Sequence, residues 1–341
     1  MSSSRLPVVS FFTGGGGLDL GFYQAGFKTI YAADHDLSAV STFNKNTGNN
    51  NTACQLDLSV SSIDQILKLI EDIGVTPVGA IGGPPCQGFS RANCSSYAAD
   101  PRNALPLKYV DIIIALKEKF EIDFFVFENV PGIRDVKHQK VFSSIKEKLL
   151  TGGFNLFEKE LNASWFGVPQ QRRRIFFVGI NSEKKFKNAF TFPEGCEDNI
   201  TVYDAIGHLP EPVFFSRGLN PNNIPFHSNH WTMRPKSRKF KDGVKPGGRS
   251  FKLLYWDRKS PTVAYGNREI HIHPNGKRRL SIFEAMLLQG FPSDYVLTGS
   301  LSKQVEQVSN AVPPPVAKAI ASAIKQAIGL NAEQSFGDIS C

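Results

Sequence analysis

Cysteine is scarce in this chain and long apolar runs are missing, and each shortage excludes a class of protein. Five cysteines, Cys54, Cys86, Cys94, Cys196 and Cys341, are spread over 341 residues. None are paired at CxxC spacing, so neither a zinc knuckle nor a redox dithiol is expected. A sparse, odd count suits reduced thiols in a cytosolic protein better than a disulfide framework. The longest apolar stretches, residues 112–116 and 124–127, are far too short to cross a bilayer. The first residues lack the apolar core and small-residue cleavage site of an export signal. Internal repeats are absent, and the only low-complexity tract is the run of glycines at 14–17. The expectation is a cytoplasmic protein with no membrane partner and no metal.

The composition, 41% hydrophobic and 21% charged, is that of a globular chain with ample core. Its length allows one large domain or two modest ones. The net charge of +8 is unevenly placed. Residues 181–280 hold 18 Lys and Arg against 9 Asp and Glu, which leaves 21 basic against 22 acidic residues elsewhere. All of the excess lies in that segment. It is either a solvated basic face or the footprint of a polyanion.

The first half alternates two periodicities. Residues 7–12, 28–33, 78–81 and 122–127 read as buried strands, and 18–25, 62–73 and 104–120 as helices. Ser62 and Gln65 are placed for a capping box, with Gly74 as the stop. Continuous apolar strands alternating with helices predict an α/β fold, a doubly wound and mostly parallel sheet covered on both faces. From 181 to about 258 the chain is rich in Pro, Asn, Gly and basic residues, which predicts a smaller loop-rich domain. Helical pattern returns at 280–289 and in a terminal helix over 317–330. The expected division is 1–180, a catalytic and cofactor-binding part; 181–260, the inserted domain; 261–330, a return segment completing the first part; and 331–341, a tail.

Three places carry chemistry. The glycine run follows the first strand and opens a helix, where a backbone can approach a ligand closely. Asp34 ends the second strand 20 residues after Gly14, placed to accept ribose hydroxyls. Together they favour an adenosine-bearing cofactor without separating NAD from S-adenosylmethionine. Next, Cys86 lies in Gly83-Pro84-Pro85-Cys86-Gln87-Gly88-Phe89-Ser90, just past a strand's carboxyl end. A lone cysteine is usually a small core residue. Here the prolines fix a rigid turn and small or polar residues follow, which favours a held, exposed thiol. Last, Glu128 ends an apolar strand, where burial raises a carboxyl pKa. In Gln171-Arg172-Arg173-Arg174 the alternation puts Arg172 and Arg174 on one face. A surface glutamate and a basic sheet edge are the plain alternatives.

In chain order, these segments resemble the motifs of the DNA cytosine-C5 methyltransferase family, of the bacterial and phage restriction-modification type. The matching stretches are Phe12 to Gly17, Asp34, Asp57-Leu58, Gly83 to Ser90, Arg102 to Leu105, Glu128-Asn129-Val130 and Gly167 to Arg174. Further on come Ser260-Pro261-Thr262, Arg278-Arg279-Leu280, Gln289-Gly290-Phe291-Pro292 and Ser309-Asn310-Ala311-Val312-Pro313. They span nearly the whole chain except the basic segment, where this family carries its target-recognition domain.

The resemblance implies a Rossmann-like methyltransferase fold, double-stranded DNA as partner, a monomer, and a cognate restriction endonuclease as a possible companion. It implies that Cys86 attacks C6 of a cytosine flipped out of the duplex. Glu128 assists at N3, Arg174 holds O2 with Arg172 in support, and S-adenosylmethionine gives its methyl to C5, leaving S-adenosylhomocysteine. Its cofactor contacts would be Phe12, Gly14, Gly16, Gly17, Leu18, Asp34, Asp57, Leu58, Gly83, Pro85, Leu105, Asn310, Ala311 and Val312. DNA would meet Gln87 and Ser90 beside the nucleophile, and Arg234, Lys236, Arg238 and Arg249 in the basic segment. Some positions depart from the family pattern: Asp34 stands where Glu is commoner, Gly15 replaces a small apolar residue, and Ser309 replaces a Gly. The rival readings are a tRNA cytosine-C5 methyltransferase on the same fold, an NAD-dependent oxidoreductase, and a non-catalytic DNA-binding regulator. The eighty residues between Ile180 and Ser260 disfavour the first. The combination of Cys86, Glu128 and the arginines disfavours the other two.

Overall fold

The computed structural model describes residues 5–49, 51–85, 104–240, 243–244, 251–262 and 270–329. Its strands are β1 (Leu6–Phe11), β2 (Phe27–Asp34), β3 (Ala53–Gln55), β4 (Gly79–Gly82), β5 (Phe124–Asn129), β6 (Phe154–Asn162), the two-residue β7 (Gln170–Gln171) and β8 (Arg173–Asn181). All of these except β7 form one sheet in the order β3-β2-β1-β4-β5-β8-β6. Strands β1 to β5 run parallel, and β8 lies antiparallel between β5 and β6. Helices α1 (Gly17–Gln24), α2 (Leu37–Thr47), α3 (Ile63–Glu71), α4 (Leu105–Phe120) and α5 (Gln139–Thr151) make the connections. Strand order reverses between β1 and β4, and a crevice at the carboxyl ends of such strands is where open α/β sheets take ligands.

The apolar run of β5 explains the two-sided cover. Successive side chains alternate faces. Phe125 and Phe127 enter a core with Tyr109, Ile113 and Leu116 of α4 and Ile145 and Leu149 of α5. Phe124 and Val126 enter the opposite core, with Leu18 and Phe22 of α1.

Element bounds differ from the sequence expectations in instructive places. β5 runs on through Glu128 and Asn129, because β8 continues the ladder opposite them at Phe176 and Ile175. Glu128 is therefore a ladder residue and not a strand exit. β1 stops at Phe11, and Phe12 takes a left-handed φ of 56°. Ser62 caps α3 by accepting from the Gln65 N–H at 3.1 Å, the forward half of the expected box. Helices α2 and α5 and strand β6 have no counterpart in the expectation.

After Asn181 the elements are short: α6 (Val202–Ile206), β9 (Val213–Phe214), β10 (Trp231–Thr232), β11 (Phe251–Leu253), β12 (Ser260–Pro261) and β13 (Ile270–Ile272). β9 pairs with β10, β11 with β13, and β12 with β7. The chain then forms α7 (Ile282–Leu288), α8 (Leu301–Asn310) and α9 (Pro314–Ala327). Ser281 and Glu284 close a reciprocal capping box on α7. Helix α9 lies on α1 at Gly21, where a Cβ would stand 2.4 Å from the Ala317 Cβ and 2.5 Å from the Pro314 carbonyl oxygen. Only glycine lets the two helices approach so closely. Among the described residues no helix is long and apolar enough to cross a membrane.

Candidate active site

Two half-sites meet along the carboxyl edge of the sheet. The first is the turn from β1 into α1. The Gly14 N–H donates to Asp34 Oδ2 at 2.9 Å, and the Asp36 N–H donates to Oδ1 at 2.9 Å. His35 Nδ1 lies 3.2 Å from the same Oδ1. That carboxylate, first among other causes, raises the pKa of the imidazole. A buried acid at the end of β2 thus tethers the glycine loop as well as facing the crevice.

The four glycines have different reasons to be glycine. Gly14 has φ 51°, and a Cβ on it would meet only the Phe12 carbonyl oxygen at 4.0 Å. Behind the loop, Cβ atoms on Gly16 and Gly17 would stand 2.4 Å from the Tyr295 hydroxyl and 2.1 Å from the Val312 carbonyl oxygen. Tyr295 also donates to the Gly15 carbonyl at 2.8 Å. Gly16 and Gly17 are compelled by the chain's own later segment, and Gly14 keeps the open side. Beside it, the buried Thr13 hydroxyl has no hydrogen-bond partner among the described residues. An orphaned buried hydroxyl next to an open, left-handed glycine and a carboxylate leaves polar groups here that a ligand could satisfy.

Of the other expected cofactor residues, Phe12 packs edge-on to Tyr109 at 6.0 Å. Leu58 and Leu105 are buried, and Leu18 is buried at the start of α1. Asp57 is exposed, with Oδ1 accepting from the Ser59 hydroxyl at 2.6 Å and the Ser59 N–H at 2.9 Å; these bonds, the hydroxyl's first, lower its pKa. Asn310 is exposed at the end of α8, while Ala311 and Val312 are buried against the loop.

The second half-site lies on β5 and the segment entering β8. Glu128 is 8% exposed, and its Oε1 is 3.1 Å from Arg174 Nε. Burial pushes this carboxyl above its ordinary value, and Arg174 and then Arg172 pull it back without cancelling the rise. Arg172 is 1% exposed, and one of its nitrogens donates to the Ser309 carbonyl at 2.8 Å. Its Nε and Nη1 have no hydrogen-bond partner among the described residues. Burial, with Arg174 adding to it, depresses the Arg172 pKa well below its ordinary value. Arg173 points away to Glu160, as the alternation predicts. Gly83, on the Cys86 side, faces Glu128 so closely that a Cβ would lie 2.9 Å from Oε2. Asn129 donates to the Pro84 carbonyl at 3.3 Å. The chain leading to Cys86 is thereby fastened to the strand that carries Glu128. Cys86, Gln87, Ser90 and Arg249 lie outside the described residues.

Sequence reasoning missed the support behind these groups. Gln170, fully buried, donates to the Leu288 carbonyl at 3.2 Å and to Gln289 Oε1 at 3.3 Å. Gln289 in turn donates to the carbonyls of Val308 at 2.8 Å and Ala311 at 2.6 Å. Two side-chain amides, Gln289 directly and Gln170 through it, thus brace residues 308–311 beside Arg172. The glutamines stood inside quoted motifs, so a signal was present without a partner to interpret it. In the basic segment Arg234, Lys236 and Arg238 are all exposed, and the Arg234 guanidinium lies 5.1 Å above the Phe214 ring. Phe215, Phe226 and Tyr255 add exposed aromatic surface to the same part of the chain.

Comparison with known proteins gives a consistent result. The family described as C-5 cytosine-specific DNA methylase matches residues 6–326. The chain is similar to the type II methyltransferase M.MthTI of Methanothermobacter thermautotrophicus, at 33% identity over 94% of this chain and 98% of that protein. It is similar to M1.HphI of Haemophilus parahaemolyticus at 35% identity, over 94% of this chain and 86% of that one. Among solved structures, a prophage-encoded protein of E. coli described as a DNA modification methyltransferase superposes with a TM-score of 0.75. Its identity is 25%, covering 95% of this chain and 99% of that one. The S. pombe Dnmt2 methyltransferase shares the fold, with a TM-score of 0.64 at 17% identity over 94% of this chain and 98% of that one.

Proposed function

The chain belongs to the C-5 cytosine-specific DNA methylase family, and from that membership we propose that its two half-sites divide the work of methylating cytosine in duplex DNA. The glycine-loop half holds S-adenosylmethionine and the Glu128 half holds a cytosine swung out of the helix. The buried Glu128–Arg174 pair, with the unfilled donors of Arg172 beside it, carries this reading. A flipped pyrimidine offers N3 and O2 acceptors to such donors.

Cytosine C5 is a poor nucleophile until C6 is attacked. The Cys86 thiolate forms the Sγ–C6 bond, and the displaced electron pair makes C5 nucleophilic. Negative charge developing toward N3 is met by a proton from Glu128, whose carboxyl burial biases toward the protonated form. Arg174 holds the Glu128 carboxyl in place and supplies positive charge at O2. Arg172, anchored at Ser309, backs Arg174 from behind. S-adenosylmethionine, when bound, supplies an electrophilic methyl group for C5. Loss of the C5 proton to solvent water, departure of Cys86 as the thiolate and return of the N3 proton to Glu128 then restore the aromatic ring.

The cofactor's ribose hydroxyls fall to Asp34 and its backbone-facing part to Gly14 and Thr13, in this reading. The orphaned Thr13 hydroxyl and the open face of Gly14 support it. Residues 181–260 serve as the target-recognition domain, with Arg234, Lys236 and Arg238 toward DNA. A cytoplasmic monomer accompanied by a restriction endonuclease for the same site completes the proposal.

The direct test is base-resolution mapping of 5-methylcytosine in DNA from a methylation-free bacterial host expressing the chain, beside its Cys86→Ser variant. The expected result is methylation at one short motif, lost in the variant although the purified variant still retains duplex DNA in a gel-shift assay. Full methylation by Cys86→Ser would falsify the nucleophile assignment.

A further inference from the structure

Residues 295–298, with Tyr295 and Leu297 buried and Val296 and Thr298 half-buried, form an irregular segment that belongs to none of the sheets. Buried backbone must still find hydrogen-bond partners, and here side chains replace a neighbouring strand. The side-chain amide of Asn46, on α2, binds both polar groups of Val296: its Oδ1 accepts from the N–H at 2.9 Å and its Nδ2 donates to the carbonyl at 2.8 Å. Asn229, in the segment between β9 and β10, does the same for Leu297, at 2.9 Å and 2.8 Å. A side-chain amide can do this because it carries a donor and an acceptor, as a peptide unit does. Asn229 is 1% exposed and gives its other donor to Gln304 at 2.9 Å, so its side chain is fully committed. Thr298 is tied to α2 by its N–H to Thr42 Oγ1 at 2.8 Å. At the other end, the Tyr295 hydroxyl reaches the Gly15 carbonyl and fills the volume beside Gly16.

Consecutive residues of one short strap thus hold the glycine loop, the helix that follows Asp34, and the basic segment. We infer that this strap sets the geometry of the cofactor loop from the recognition segment, with Tyr295 and Asn229 as its two positioning residues. The inference rests on the reading of the glycine loop as the S-adenosylmethionine site. Neither residue touches reacting atoms. Tyr295 fixes the carbonyl next to Gly14, and Asn229 fixes Leu297, two residues along, so that Tyr295 arrives in register. If both act through the same strap, losing one largely removes the effect of the other.

The test is a double-mutant cycle on binding of S-adenosylhomocysteine to the full chain, measured by calorimetry without DNA. Tyr295→Phe and Asn229→Ala are each expected to weaken binding about three- to tenfold, the scale of one interior hydrogen bond. The double variant should lie within about twofold of the weaker single variant, since residues sharing a network are not additive. KM for S-adenosylmethionine should rise in parallel while kcat at saturation stays near wild type. Ile145→Val, in the core under α4 and α5, lowers stability without touching the strap and should leave the dissociation constant unchanged. Asn229→Ser, which keeps a hydroxyl, replaces Asn229→Ala if the latter does not fold. Effects that multiply in the double variant, or a Tyr295→Phe variant that binds as wild type does, overturn the strap while leaving the cofactor site intact. Failure of the wild type to bind S-adenosylhomocysteine at all removes the cofactor reading and the strap with it.

Discussion

At the scale of single residues, burial raises the pKa of two carboxyls, Glu128 and Asp19, to different ends. Glu128 is pushed up by burial against the pull of two arginines. Glu128→Gln keeps the shape and loses the transferable proton, so kcat is expected to fall about 10²- to 10⁴-fold, the range for one acid–base group, with the fold unchanged by circular dichroism. Asp19, in the first turn of α1, accepts from Ser10 at 3.0 Å and Thr29 at 2.9 Å with no cation among those partners. Burial raises its pKa from 3.8 to about 6. Because the folded state favours the protonated form, Asp19's contribution to stability is full below its ordinary value and is lost as pH rises through about 6. Asp19→Asn should therefore gain stability at pH 8, on the order of 1–3 kcal/mol, and much less at pH 4. Denaturant titrations at the two pH values decide it; an equal effect at both would show that Asp19 ionisation is not responsible.

Much of the site was legible at this scale. Glu128 was readable from the apolar run before it, and Arg172 with Arg174 from their alternation, without tertiary knowledge. The distinct roles of Gly14, Gly16 and Gly17 were not readable. The atoms that compel glycine at 16 and 17 belong to Tyr295 and Val312, nearly three hundred positions away.

At the scale of elements, the parallel sheet followed from the period of apolar residues in β1, β2, β4 and β5. What escaped was held by non-periodic means. α2 is set by its ends, Asp36 accepting from the Ser38 N–H at 2.8 Å and Gly48 in the left-handed region. The strap carries no pattern at all, since its partners are Asn side chains 68 and 250 positions away. The contact of α1 with α9 gives the sharpest element-level prediction. Gly21→Ala adds a methyl group where the Pro314 carbonyl and Ala317 already stand. It is expected to cost about 1–3 kcal/mol, as overpacking does, seen as a lower Tm. Gly48→Ala meets no atom within 4 Å and tests backbone strain alone.

At the scale of the molecule, charge and sequence reading separate. The location of the +9 segment was visible in composition, but which of its side chains face solvent freely required the fold. Exposed Arg234, Lys236 and Arg238 are expected to bind phosphate or base edges. Replacing Lys236 by Ala should lower the slope of log K against log salt by about one if it neutralises a phosphate. Exchange of residues 181–258 for those of another family member should move the methylated motif, and an unmoved motif would remove the recognition assignment.

The packing of α9 on α1 also has a consequence in time. Gly21 waits for Ala317, and at about 5–20 residues per second a ribosome takes roughly 15–60 s to make the chain between them. Until then the side of α1 that meets α9 has no cover, although Leu18 and Phe22 can already pack against β5, and Tyr295 and Val312 reach the glycine loop only near the end. A nascent or prematurely terminated chain can therefore carry Glu128, Arg172 and Arg174 and still have an unfinished glycine loop.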